Sequence, residues 1–170
     1  MGRLLLYAHA AAVQGLAVVA VAGTLVVSGD QTVGGVAVGR GTLAQATARF
    51  GAPTSASAEG GGVTCKVTWR PLGLTMSFLD FANHACRDGG LVIATMTSRA
   101  HWRTSHGLRV GDAVTRLRAL YPHARLHADG YWLVVRQSCQ EVGAQLYPGL
   151  LARVGAGRVR ALVVTAGVCE

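Results

Sequence analysis

Residues 39–53 read GRGTLAQATARFGAP, and residues 109–124 read RVGDAVTRLRALYPHA. Each stretch sets a glycine before a polar residue, Gly41-Thr42 in the first and Gly111-Asp112 in the second. Thr42 and Asp112 are both good N-cap types, because a side-chain oxygen can accept from an orphan helix N–H. After the first cap, Leu43, Ala46, Thr47 and Phe50 fall at helical spacing; after the second, Val114, Leu117, Leu120 and Tyr121 do the same. Gly51 with Pro53, and Pro122, stop the two helices after two to three turns. Arg116 and Arg118 lie off the apolar stripe and are expected to face solvent.

Strand-like segments follow each helix. In the first half they are Val63–Trp69, Leu74–Leu79 and Leu91–Thr97, separated by Pro71 and Gly73 and then by residues 83–90. In the second half they are Tyr131–Arg136, Leu150–Val154 and Arg158–Thr165, with Gly155-Ala156-Gly157 as a hairpin turn between the last two. Residues 52–62, rich in Gly, Ala and Ser, read as a mobile loop, and residues 98–107 as the link between halves. The expected fold is therefore α+β: two tandem repeats, residues 36–100 and 101–170. Each is a short capped helix followed by about three antiparallel strands, joined in one sheet of about six with both helices on one face.

The N-terminus has a different character. No charged residue occurs from Leu4 to Gly29, while Arg3 precedes the run and Asp30 follows it. A basic start, an apolar stretch and the small-x-small triplet Ala20-Val21-Ala22 describe a signal peptide over residues 1–22, with residues 23–35 as a linker. The run is also long enough to cross about 30 Å of hydrocarbon at roughly 1.5 Å per residue, so an uncleaved anchor reaching to about residue 29 is the rival. Either reading sends the remainder out of the cytoplasm, to a secreted or extracytoplasmic place.

The four cysteines agree with export. Cys65, Cys86, Cys139 and Cys169 form no C-x-x-C motif, and an even count behind a signal favours disulfides. Three pairings are open; one bridge per repeat favours Cys65 with Cys86 and Cys139 with Cys169. Each would close a loop of about 20–30 residues and contribute roughly 3 kcal/mol in the chain-entropy model. Zinc is disfavoured, since His84 two residues from Cys86 is poor support for a site.

The 170 residues carry sixteen basic and eight acidic side chains, a net charge of +8, and Lys66 is the one lysine. The apolar fraction of 51% excludes a mostly disordered chain. Catalytic signatures are absent: there is no G-x-S-x-G, H-E-x-x-H, phosphate loop or dinucleotide fingerprint. The scattered carboxylates Glu59, Asp80, Asp88, Asp112, Asp129 and Glu141 show no paired spacing. His101, His106, His123 and His127 read as loop residues, and adjacent Ser105 and His106 do not make a triad, whose members come from distant segments. No cofactor and no metal is expected.

Arg99, Arg103, Arg109, Arg116, Arg118 and Arg125 with Trp102 could bind phosphates and stack bases. In an exported protein the anionic partners at hand are wall polymers and membrane headgroups, so nucleic acid is disfavoured. Trp69, Phe78, Tyr131 and Trp132 sit on expected strands, and neighbours Tyr131 and Trp132 must point to opposite faces. A binding face on the open sheet would use one of that pair with Trp69, Trp102, Arg103 and Arg109.

A glycine, a polar cap, a short helix, an aromatic end and then antiparallel strands resembles the repeat unit of the β-lactamase inhibitor proteins and the small outer-membrane lipoprotein family related to them in fold. The resemblance rests on Gly41-Thr42 through Phe50-Gly51-Ala52-Pro53 and on Gly111-Asp112 through Tyr121-Pro122. Residues 101–137, from His101-Trp102 to Trp132-Leu133-Val134-Val135-Arg136, also resemble a stretch of secreted proteins of GC-rich Gram-positive bacteria. It implies a tandem α+β fold, one disulfide per repeat and a concave sheet that grips another protein. The chain departs from the inhibitors in having few aromatics and no match to their enzyme-inserting loops, and from the lipoproteins in lacking a lipidated cysteine. Fold does not fix function, so inhibition of a β-lactamase is not implied.

Three function classes follow. The first is an exported, non-catalytic module recognising a secreted or envelope protein through its sheet face. The second is a membrane-anchored envelope domain drawn to anionic polymer by arginines. The third is a small secreted hydrolase.

Overall fold

The structure, a computed structural model, describes residues 25–28, 31–87, 90–134 and 147–167. Residues 1–22, Cys139, Cys169 and the end of the expected strand Tyr131–Arg136 lie outside them. The described chain is α+β. It opens with short strands β1 (Leu25–Ser28), β2 (Thr32–Val33) and β3 (Val36–Ala37), then helix α1 (Leu43–Phe50). Strands β4 (Ser55–Glu59), β5 (Thr64–Trp69), β6 (Leu74–Leu79), β7 (Leu91–Thr97) and β8 (Trp102–Thr104) lead to helix α2 (Val114–Leu120). The chain then forms β9 (Arg125–His127), β10 (Gly130–Val134), β11 (Tyr147–Gly155) and β12 (Arg158–Gly167).

Eight strands form one antiparallel sheet in the order β4-β5-β6-β7-β12-β11-β10-β9, larger than the six expected. The two additions are its edges. β4 lies in the stretch read as a mobile loop, and β9 falls between the expected second helix and the next strand. Every residue of β4 and β9 is exposed. Backbone pairing holds them, and neither carries the β-branched or aromatic residues that mark a strand in sequence. A second, four-stranded sheet has the order β3-β2-β1-β8, with β1 and β8 parallel. Three of its strands come from residues 25–37, mostly the expected linker, and the fourth from the link 98–107. Leu25 and Val27 are buried, so the end of the long apolar run serves the core.

α1 forms as its capping residues dictate. The N–H of Gln45 donates to Thr42 Oγ1 at 3.3 Å, and the N–H of Thr42 donates to Gln45 Oε1 at 3.1 Å, a complete capping box. Ala46 and Phe50 are its buried face. Gly34 in the β2–β3 turn has φ +57°, and a Cβ there would come within 2.8 Å of the Phe50 ring, so only glycine lets this turn lie on it.

α2 differs from expectation at its start. The cap position belongs to Ala113, not Asp112, and no side chain caps it. Asp112 Oδ2 instead accepts the N–H of Arg109 at 2.8 Å and Arg116 Nε at 3.1 Å, closing the turn ahead of the helix. The first helical N–H, of Val114, donates to the carbonyl of Gly157 at 3.0 Å, so the β11–β12 turn replaces a cap. Arg116 faces solvent as expected. Arg118 is exposed too, yet its Nη2 donates to Tyr131 Oη at 2.8 Å.

The approach to each helix is stitched to a strand by a reciprocal pair of backbone bonds, spanning Gly39–Gly41 in the first half and the adjacent Gly111 and Asp112 in the second. Gly39 N–H donates to Val92 O and Val92 N–H to Gly41 O; Gly111 N–H donates to Val159 O and Val159 N–H to Asp112 O. Isolated bridges then pair Thr42 with Leu91 and Ala113 with Arg158, the first residues of β7 and β12.

The sheet has a core face and an outer face. Directly paired residues share a face, and the row Trp69–Leu74–Thr97–Leu162–Ala152–Tyr131 runs through six strands with every member buried. The Phe50 ring of α1 meets Trp69 edge-on at 5.8 Å, and Arg118 of α2 reaches Tyr131, so both helices lie over this face. Cys65 is bonded to Cys86, tying β5 to the connection between β6 and β7.

The β11–β12 hairpin turns through Ala156 (φ 49°) and Gly157 (φ 72°), a two-residue loop with both φ positive. An alanine there is strained, because its Cβ crowds the backbone in the left-handed region. Ala156→Asn, which tolerates that region, is expected to add roughly 0.5–1 kcal/mol and to raise the melting temperature by about 1–4 °C in calorimetry.

Candidate functional site

The pairing of residues puts the following row on the outer face: Ser55, Thr68, Thr75, Met96, Val163, Leu151, Trp132, Arg125, one from each of the eight strands. One half is a hydroxyl platform of Ser55, Thr68 and Thr75. The other half is apolar and ends on an aromatic beside an arginine. Leu151 and Val163 are buried at 4% and 7% exposure, yet neither belongs to the main core cluster. They make a separate apolar strip under long neighbours.

Trp132 is the anchor of that strip. It is half-buried, and a Cβ on Gly149 would stand 2.7 Å from its Cζ3, so the indole occupies the space that the bare glycine leaves. Arg125 on β9 is directly opposite it. Arg153, two residues along β11 from Leu151 and so on the same face, is exposed and places Nη1 3.9 Å from Met96 Sδ. Arg160 donates from Nε to the Gly155 carbonyl at 3.0 Å, at the hairpin end. Glu59 belongs to the same face but stands on β4, at the opposite edge of the sheet. The surface around Trp132 is apolar with cationic margins.

The residues singled out from sequence are dispersed over three places. Trp69 and Trp102 are 2% and 0% exposed, with indole N–H groups donated to Gly51 O at 2.9 Å and Leu72 O at 2.7 Å. Tyr131 is buried under Arg118. These three rings pack the core and present no surface to a partner. Trp132 alone of the four aromatics reaches the outer face. Arg103 and Arg109 face each other across a bridge in the layer covering the core face, away from Trp132. The expectation that Tyr131 and Trp132 point apart holds. Arg153 and Met96 were not singled out, although Arg153 keeps the alternation of Leu151 and could have been placed beside Trp132.

Among the described residues, no three His, Cys, Asp or Glu side chains gather as a metal site. Ser105 Oγ and His106 Nδ1 stand 3.4 Å apart, and the His106 ring packs edge-on against Tyr121 at 5.1 Å. His101 Nε2 lies 3.1 Å from the Leu72 carbonyl. Phe81, which the sequence reading passed over, is 84% exposed on the turn after β6. Asp80 Oδ1 holds the N–H of Ala82 in that turn, and the Cys65–Cys86 bond ties down its far side. Also among the described residues, no helix is long and apolar enough to cross a membrane. No family model matches the chain, and neither the curated proteins nor the solved structures give a match to it.

Proposed function

We propose that this is an exported, non-catalytic recognition module, and that it binds a secreted or cell-envelope protein through the outer face of its sheet. The observation that carries the reading is Trp132: an aromatic on the face that no described helix covers, at the end of an apolar strip, with Arg125 opposite and Arg153 on the neighbouring strand. Trp and Arg are enriched among the few residues that carry most of the energy of protein interfaces. Among the described residues one arginine–carboxylate pair forms, Arg116 with Asp112, so the cationic margins favour an acidic partner surface.

Export draws support from the Cys65–Cys86 bond, which fits an oxidising compartment. A cut after Ala22 would leave two residues, Gly23 and Thr24, ahead of β1. The tandem-repeat reading draws support from the reciprocal stitches at the two helix approaches. They equate Thr42 with Ala113 and Leu91 with Arg158, one residue out of step with the alignment by glycines. Each half then runs helix and four strands, with the last strands, β7 and β12, joined at the centre of the sheet. That arrangement is what a β-lactamase-inhibitor-like repeat fold would need.

The test is capture from the culture medium of the producing organism by the wild-type protein, Trp132→Ala and Arg153→Glu. A single secreted protein held by wild type should be retained about 30-fold less by Trp132→Ala, the scale of a 2 kcal/mol hot spot. Arg153→Glu, an exposed reversal that leaves the fold intact, should lose it too. Equal retention by both variants would remove the sheet face from the reading.

A further inference from the structure

A groove of about 430 Å³ opens between the β2–β3 turn and α1. It lies in the layer over the core face, and it shares no residue with the outer sheet surface. Its floor is the backbone and small side chains of Gly35, Val36, Ala37 and Gly41; Arg40, Gln45 and Arg49 provide its polar groups. The size falls within the range of small-molecule clefts.

The polar end is made of donors. Arg49 donates from Nε to the Gly34 carbonyl at 2.7 Å, which orients the guanidinium and leaves its terminal nitrogens for another acceptor. Gln45 has its Oε1 committed to the Thr42 N–H, so its amide nitrogen is the end left for a ligand. Arg40 is exposed, and among the described residues no carboxylate lines the groove. Two guanidinium groups and an amide around an apolar floor suit an anion carried on a short carbon skeleton. A phosphate offers three acceptor oxygens and close to two negative charges, enough for both arginines, whereas a carboxylate offers two oxygens and one charge.

The geometry points to a binding site for the phosphate monoester of a small alcohol, held between Arg40 and Arg49 with its carbon portion over Val36 and Ala37. The site is independent of the sheet-face function, and Trp132→Ala should leave it unchanged.

Calorimetric and NMR titrations with glycerol 3-phosphate, inorganic phosphate and N-acetylglycine test it on the whole protein. Glycerol 3-phosphate should bind most tightly of the three and shift amides of residues 35–41 and of α1. Arg40→Gln, at an exposed residue with no internal bond, should weaken it about tenfold or more, the scale of a lost charged hydrogen bond. Gln45→Glu keeps an N3 acceptor for the capping box but puts a carboxylate in the groove; it should abolish binding without loss of helix stability. Tighter binding of N-acetylglycine would make this a carboxylate site. Equal affinity in Arg40→Gln, or no localised shift with any probe, would overturn the proposal outright.

Discussion

Trp102→Ala is expected to cost about 3–5 kcal/mol, a large part of the total stability of an ordinary domain, which is roughly 5–15 kcal/mol. The ring is wholly buried, lies 6.3 Å from Phe50 and donates its N–H to the Leu72 carbonyl at 2.7 Å. Truncation would leave a cavity between the two sheets and remove one of the two ring nitrogens that meet the Leu72 carbonyl, the other being His101 Nε2. It would also loosen β8, whose pairing with β1 at Leu25–Trp102 holds the start of the described chain. Urea unfolding should show the midpoint falling by roughly 2 M. Trp132→Ala is the informative contrast. Water can enter the space it leaves on the outer face, so its cost should be about 1–2 kcal/mol. Equal losses would mean that Trp132 is a core residue and that the proposed binding face is closed.

Removing the Cys65–Cys86 bridge by Cys65→Ala/Cys86→Ala should cost about 3 kcal/mol, the entropy of closing a loop with this sequence separation of 21 residues. For a chain of this length that corresponds to a melting temperature lower by roughly 6–12 °C. The local consequence is as telling. Cys65 is buried on β5, while Cys86 ends a turn held by Asp80 and by the Ala85 N–H bond to Gly62 O. Without the bridge, amide exchange should accelerate in residues 80–87 well before it does in β11 and β12. A double variant as stable as wild type, with unchanged exchange there, would mean that the core alone places this turn.

Much of the central sheet was legible. β6 and β7 coincide with the segments read from sequence, and β5 begins one residue later than expected. Their runs of β-branched and large apolar residues, bounded by Pro71, Gly73 and residues 83–90, are a signal local to the chain. The same holds for Leu43, Ala46 and Phe50 of α1, and for the Thr42 cap, whose partner Gln45 is three residues away. The edge strands and the small sheet were not legible. β4 and β9 expose every residue, and β1 looked like the tail of an uncharged run until β8, about 75 residues later in the chain, gave it a parallel partner.

The site divides along the same line. Opposite orientation of Tyr131 and Trp132 follows from the two-residue period of a strand and needs no tertiary information. Which of the two is buried depends on where the helices pack, and sequence neighbours do not encode that. Trp69 and Trp102 show the consequence, since a tryptophan reads alike in a core and on a surface until the layer above it is known. Arg125 meets Trp132, and Arg153 meets Met96, only through cross-strand register. The amino-acid sequence by itself thus determined the helix positions, the cap of the first helix, the central strands and the opposite faces of Tyr131 and Trp132, because these rest on contacts within a few residues. The tertiary structure alone decided the strand order, which face is covered and which arginines stand beside Trp132, because these arise from pairings between segments tens of residues apart.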